Sequence, residues 1–433
     1  MRNKIFFIIS LCISGSLFGQ TNAASPYSSQ GIGETTFFGN SYFQSMGGAT
    51  ASLIDSTQTN FFNPSSYASI SQGLPLFSMG IDFRNSTLTD NTNTGSLRYS
   101  NLTHFSLAVP FKKRFGLGFG LRPYSRVGYE VNDSEVIDND SLFYEYSGKG
   151  GIQQAFFGLS SNVIDKKKHK FAIGANAGFL FGFTYNSSRA YSKVSGTSTV
   201  QKGSVLENQY NYKGMNYELG AHYTFRPNKN HQLTLGATYS LEQSINTEFS
   251  SNSIFYTNSN SVNTYDTLSS VTGETGSAVL PTKFNVGLTY VFSPKRDAES
   301  NRKLEPQFKL TAEYGMENWS TFKREIGPVL LNDNLQDVRT LRFGLEFVPH
   351  RNPLDRSTVA NYFAKINYRV GVYSTDLPMM ANGQQLSELG TSFGIGLPIV
   401  FNRALSTVNI GVSYGERGND NINTIQENFW GIN

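Results

Sequence analysis

A chain of 433 residues with 36 Lys+Arg against 32 Asp+Glu carries a net charge of only +4, which singles out no partner and gives no basis for nucleic-acid binding. Charged residues make up 16%, against about 25% in an ordinary soluble domain, while aromatics reach 14% and glycines number 41. A mean hydropathy of −0.32, with no apolar run of roughly 18 residues after residue 20, excludes a bundle of membrane helices. It does not exclude membrane strands, whose alternation averages out in a hydropathy window.

The first element is "MRNKIFFIISLCISGSLFGQTNA". Arg2 and Lys4 form a basic start, Ile5 to Phe18 an apolar run, and small residues follow near Gly19 and Ala23. This is the pattern of a secretory signal peptide, placed at residues 1–20 and excluded from the fold. The sole cysteine, Cys12, lies inside it behind Leu11, too bulky for a good lipoprotein cleavage site. The mature chain then has no disulfide and no thiolate metal site.

Residues 21–73 alternate nothing. They are rich in small and turn-forming residues, including "MGGATASLIDSTQTNFFNPSSYASI" from Met46, and carry Phe37, Phe38, Phe43, Phe61 and Phe62. From Leu74 to Asn433 the pattern is period two. Around Phe171–Tyr185 one face is mainly Phe, Ile and Tyr, and the other is Gly, Asn, Thr and Leu180. About 14 strands are expected, near 74–83, 102–110, 115–131, 143–164, 169–186, 209–226, 231–246, 279–293, 306–319, 338–348, 361–374, 389–398, 405–415 and 424–433. The tail begins a strand that is short for such a barrel, and truncation there is one expectation.

A soluble sandwich would bury the apolar face. An exported chain with this many strands of about 10 residues and no crossover helices fits an all-β transmembrane antiparallel barrel better, its apolar face on lipid and its Gly/Asn/Thr/Glu face on the lumen. Alternate connections support this: "FKKR" from Phe111, "DKKKHK" from Asp165, "RPNKNH" from Arg226, "SPKRDAESNRK" from Ser293, "PHRNPLDR" from Pro349 and "FNRA" from Phe401 are all basic and most are short. They read as periplasmic turns. The stretches from Val131 and from Thr247 to Ala278 read as extracellular loops. A barrel of this size must hold something inside, and lumen-facing glycines such as Gly116, Gly118, Gly174, Gly236 and Gly344 let a second backbone approach the wall. Residues 21–73 are the expected occupant, an N-terminal hatch.

"GIGE", "SMGGATAS" and "NFFNPSSYASI" before the first strand resemble the N-terminal hatch of the FadL-type outer-membrane transporters of hydrophobic compounds. The match falls on Met46, Gly47, Gly48, Ala49, Asn63 and Pro64, with Ser65 where that family usually has Ala. "GLGFGLRPYSRVGYE", "GTSFGIGLP" and "VSYGERGNDNINTIQENF" resemble a less characterised FadL-like group, and the similarity spans nearly the whole mature chain. The resemblance implies location in the outer membrane of a Gram-negative bacterium, contact with outer-membrane lipid, and passive uptake of hydrophobic small molecules such as long-chain fatty acids. It also implies hatch movement and lateral exit where the third strand kinks.

Pro123 lies within that strand, so pairing should break at Arg122, Pro123 and Tyr124, giving either a passage or a plain bulge. Leu330, Leu331, Met379 and Met380 are candidate apolar loop residues, serving either a ligand or a protein partner. A rival reading is an accessory barrel of a protein-secretion complex, as with PorV-like relatives, or a structural outer-membrane protein. An open porin fits less well with a hatch. No cofactor, metal site or enzyme chemistry is expected: His104 and His222 face the lumen without a motif around them, and His169, His231 and His350 fall in the basic turns. The lumen-facing set Arg122, Glu218, Glu242, Lys283, Lys309, Glu313, Arg342, Glu346 and Arg369 is expected to pair across strands and with the hatch.

Overall fold

The structure, a computed structural model, describes residues 25–433 apart from 36–38, 72–74, 91–92, 113, 138–139, 194–200, 259–262, 295–303, 355–360, 382, 402–403 and 419–424. The expected signal peptide with Cys12, the side chains Phe37 and Phe38, Leu74 and parts of four basic turns lie outside the described residues.

Period-two alternation becomes a closed antiparallel barrel of fourteen strands. The first seven are β1 (Leu76–Thr89), β2 (Thr94–Phe111), β3 (Phe115–Pro123, then Val127–Ile137), β4 (Asp140–Asp165), β5 (His169–Lys193), β6 (Gln201–Phe225) and β7 (His231–Ser240, then Gln243–Asn258). The rest are β8 (Asn263–Leu280, then Lys283–Phe292), β9 (Gln307–Glu317), β10 (Val338–Val348), β11 (Asn367–Ala381), β12 (Gln384–Phe401), β13 (Ala404–Arg417) and β14 (Gln426–Ile432). Sequence neighbours pair, and β14 closes the ring on β1, with Phe83 facing Ile432 and Thr89 facing Gln426.

The two faces separate as the alternation requires. On β5, Ile173, Phe179, Phe181 and Phe183 point outward and are exposed, while Ala172, Asn176, Leu180 and Thr184 point inward and are buried. Leu159, Leu219, Leu288, Phe343, Phe393 and Ile410 continue the outward apolar surface around the barrel. At the short-turn end, an aromatic girdle closes this band. His169 Nδ1 meets the Tyr223 hydroxyl at 2.6 Å, and His231 Nδ1 meets that of Tyr290 at 2.6 Å.

Three expectations need correction. The stretches from Val131 and from Thr247 to Ala278 are not loops: Val127–Ile137 pairs with β4, and Gln243–Asn258 pairs with Asn263–Leu280. These tall hairpins stand in a polar setting, so neither face needs a continuous apolar stripe and the lipid-type pattern fades. The eleventh strand begins at Asn367, because Asn361 caps a 3₁₀ turn over Tyr362–Lys365 by accepting from the Ala364 N–H at 3.0 Å. Glu242 is exposed and outside the lumen network, since it falls at the step between the two parts of β7.

Candidate functional site

The inner surface is built around residues 25–71, which run along it in short turns. Asn40 caps the four-residue helix α1 (Ser41–Gln44), accepting from the Phe43 N–H at 3.2 Å. The chain then turns through Gly47 and Gly48, whose φ values of 69° and 81° favour glycine. Met46 and Ala49 are fully buried with Tyr42, Phe43 and Leu53. Here the wall must also be small: a Cβ on Gly371 would overlap the Gly47 nitrogen. Asn63 caps the 3₁₀ turn Pro64–Ser69, accepting from the Ser65 N–H at 3.1 Å and the Ser65 hydroxyl at 2.6 Å. Proline at the first position of that turn needs no donor there. The Asn63 amide also donates to the Ala51 carbonyl at 2.6 Å, two residues past the Met46–Ala49 motif.

Wall residues hold this segment from several sides. Both backbone N–H groups of Thr50 and Ala51 donate to one Glu313 oxygen at 2.6 Å, and its other oxygen pairs with Arg342 at 2.9 Å. Lys309 binds Glu346 at 2.8 Å and Asp55 at 3.3 Å and donates to the Tyr42 hydroxyl at 2.8 Å. Arg369 binds the second Glu346 oxygen at 2.6 Å and lies over the Tyr42 ring. Burial pushes the Asp55 carboxyl up, but the Lys309 ammonium and the hydrogen bonds from Thr57 outweigh it and leave it below its ordinary value. His222 is satisfied by Ser65, Nδ1 to Oγ at 2.8 Å, and His104 by Ser78, Nε2 to Oγ at 2.8 Å. The Tyr67 hydroxyl donates to Asn176 at 3.1 Å, with its ring over Gly118 where any Cβ would collide.

Above this layer lies a cavity of about 280 Å³. Five cations line it, Arg84, Arg122, Lys283, Arg342 and Arg417, and six acids, Glu34, Asp82, Glu218, Glu317, Asp376 and Glu388. Most are cross-linked: Arg122 to Glu218 at 2.5 Å, Lys283 to Glu317 at 2.9 Å, and Arg417 to Glu34 and Glu388 at 2.6 and 2.5 Å. Sequence reasoning reached Arg122, Glu218, Lys283 and Arg342. It missed the Glu34–Arg417 contact, whose partners stand 383 residues apart with no local motif to join them.

The third strand stops at Pro123 and resumes at Val127. Below the break, β3 pairs with β2 from Phe111↔Phe115 to Phe105↔Leu121; above it, Val127–Ile137 pairs only with β4. Residues 94–104 of β2 pair with β1. The N-terminal segment lies against the parted edge of β3. Glu34 and Arg126 exchange backbone hydrogen bonds at 2.8 and 3.0 Å, the Ser25 N–H donates to the Gly128 carbonyl at 3.0 Å, and the Ser125 hydroxyl donates to the Ile32 carbonyl at 2.7 Å. Arg122, Pro123 and Tyr124 line the cavity beside this junction.

The other candidates lie apart. Leu330 is exposed, and Leu331 packs on an apolar cluster beneath a short hairpin, Lys323–Ile326 with Val329–Leu331. That cluster is filled by the chain's own Ile32, Trp319, Phe322, Ile326 and Leu335. Met379 and Met380 are not in a loop but end β11; Met379 is buried with Leu377 and Leu386 and lines the cavity, and Met380 faces out. Among the described residues, no cluster of His, Cys, Asp or Glu has the form of a metal site.

The family model described as BamG matches residues 1–433. Among solved structures, a Pseudomonas aeruginosa FadL homologue aligns with a TM-score of 0.54 at 12% identity, over 91% of this chain and 97% of that one. The Pseudomonas putida toluene transporter TodX aligns with a TM-score of 0.53 at 13% identity, over 92% and 97%. The Ralstonia pickettii toluene transporter TbuX aligns with 0.50 at 12%, over 92% and 97%. At these identities the likeness is one of fold. No curated protein matches the chain.

Proposed function

We propose that this chain, which belongs to the BamG family, is an outer-membrane barrel for passive uptake of hydrophobic small molecules. The fold it shares with hydrocarbon transporters supports this reading. One observation carries it further: at Pro123–Arg126 the third strand parts from the second beside the cavity, and the N-terminal segment pairs with the parted edge of the third. In this reading residues 25–71 are the hatch. Its shift frees the junction, and the molecule leaves sideways into the membrane. Nothing in the route calls for a cofactor or covalent chemistry.

Glu34 and Arg126 form a hydrogen-bonded antiparallel pair, for which Cα atoms stand about 5.5 Å apart, within disulfide range. A Glu34→Cys/Arg126→Cys variant therefore locks the junction on oxidation. Uptake of labelled palmitate and of toluene by whole cells should fall on oxidation and recover on reduction. Equal uptake in both redox states, at the level of cells lacking the barrel, sinks the proposal.

Two observations favour a second reading, an accessory barrel of a protein-export or assembly complex. The cavity wall carries eleven charged side chains, which an apolar guest would desolvate, and the apolar cluster nearby is filled by the chain itself. Gentle extraction followed by native mass spectrometry separates the two. A stoichiometric apolar ligand supports uptake; an empty barrel bound to a large protein supports the partner role.

A further inference from the structure

Above the break, Val127–Ile137 is hydrogen-bonded to β4 on one side only. Its first residues are met by the N-terminal segment, through Ser25 and Gly128. From Glu130 to Val136, no described residue pairs with the other edge. Apart from the Ser134 N–H, which donates to the Asp133 carboxylate at 2.8 Å, such an edge presents free N–H and C=O groups, a template for another strand. The N-terminal segment already uses this edge in that way one step lower, at Glu34 and Arg126.

The side chains decide what can pair there. Asp133 and Glu135 are exposed on one face of this edge and Glu130 on the other, and no Lys or Arg lies between Val127 and Ile137. A second copy of the same edge would bring carboxylates against carboxylates, which is unfavourable for facing residues. A basic strand would instead place ammonium or guanidinium groups opposite them.

We propose that Glu130–Val136 is a docking edge for an extended, Lys/Arg-bearing segment of a partner protein, added to the sheet as one further antiparallel or parallel strand. Backbone hydrogen bonds supply the strand pairing, and Asp133 and Glu135, on one face, supply its charge preference. This inference stands whether or not the barrel transports anything.

The test uses the full chain in nanodiscs and a fluorescent eight-residue peptide of alternating Lys and Val. Three comparisons are read by anisotropy: the same peptide N-methylated at every residue, so that neither of its edges can donate, an alternating Glu and Val peptide, and an Asp133→Lys/Glu135→Lys barrel. Both substituted residues are exposed, and heat-modifiable gel migration checks that the variant barrel stays folded. The proposal expects the Lys peptide to bind at least tenfold more tightly than each of the three comparisons. Equal binding of the N-methylated peptide would reduce the interaction to charge attraction without strand pairing, and overturns the proposal. So does equal binding by the reversed-charge barrel. No binding by any peptide overturns it too, and leaves the carboxylates as a guard against edge-to-edge aggregation.

Discussion

Replacing Glu313 by Ala removes a single side chain that holds two backbone donors and one guanidinium. The carboxylate is fully buried, Arg342 beside it is 15% exposed, and Thr50 and Ala51 both donate to the same oxygen. Truncation orphans those two N–H groups at about 1–3 kcal/mol each and strips Arg342 of its carboxylate, leaving it the Asn285 amide oxygen at 3.3 Å; removing one partner of a buried ion pair costs about 3–5 kcal/mol. These costs overlap, because water entering the vacated space satisfies part of each, so about 3–5 kcal/mol is expected for the whole. At about 1.4 kcal/mol per tenfold, local opening around Thr50 and Ala51 rises by roughly 100- to 4,000-fold. Hydrogen exchange of the Thr50 and Ala51 amides in nanodiscs reads this directly, with barrel amides on β5 as the unchanged control. Glu313→Gln keeps an acceptor and loses the charge, so it should fall between wild type and Ala. Exchange at Thr50 and Ala51 that stays within about threefold of wild type would refute the reasoning, since a local opening cost of only a few tenths of a kcal/mol is then implied.

Asn63→Ala loses the cap on Ser65 and the bond to the Ala51 carbonyl, and should destabilise the Pro64–Ser69 turn by about 1–2 kcal/mol, seen as faster trypsin-independent cleavage of residues 60–70 by a non-specific protease. The Asp55 carboxyl is held below its usual range, so its contribution is present above the ordinary value of 3.8 and is lost as pH falls through the lower folded value. Exchange near Asp55 should therefore accelerate in acid below that range, and Asp55→Asn should remove this pH dependence. Gly118→Val places a side chain in the space of the Tyr67 ring. The N-terminal segment should shift, and planar-bilayer conductance should rise above the wild-type level; an unchanged conductance with unchanged exchange at Tyr67 would mean the wall gives way instead.

Much of the barrel was legible because a wall between lipid and lumen writes itself along the chain. Phe179, Phe181 and Phe183 alternate with Leu180, Gly182 and Thr184, and that alternation places each residue on its face without knowledge of any other strand. The break at Pro123 was legible for an equally local reason, the missing N–H of proline. The tall hairpins were not, because above the lipid band Ser, Asn and Thr serve on either face and the contrast that marks a strand disappears. Met379 and Met380 were assigned to a loop for the same reason, where β11 runs on to Ala381 through a bulge between Asp376 and Met380.

What the sequence by itself determined is the two-faced strands, their order, and a glycine-lined inner wall with room for another backbone. These follow from local chemistry repeated at period two. What only the tertiary structure decided is which groups meet inside. Glu313 under Thr50 and Ala51, Lys309 between Asp55 and Glu346, and Arg417 reaching back to Glu34 join residues hundreds of positions apart. Ring closure and the inward course of residues 25–71 set those distances, and no period in the chain encodes them.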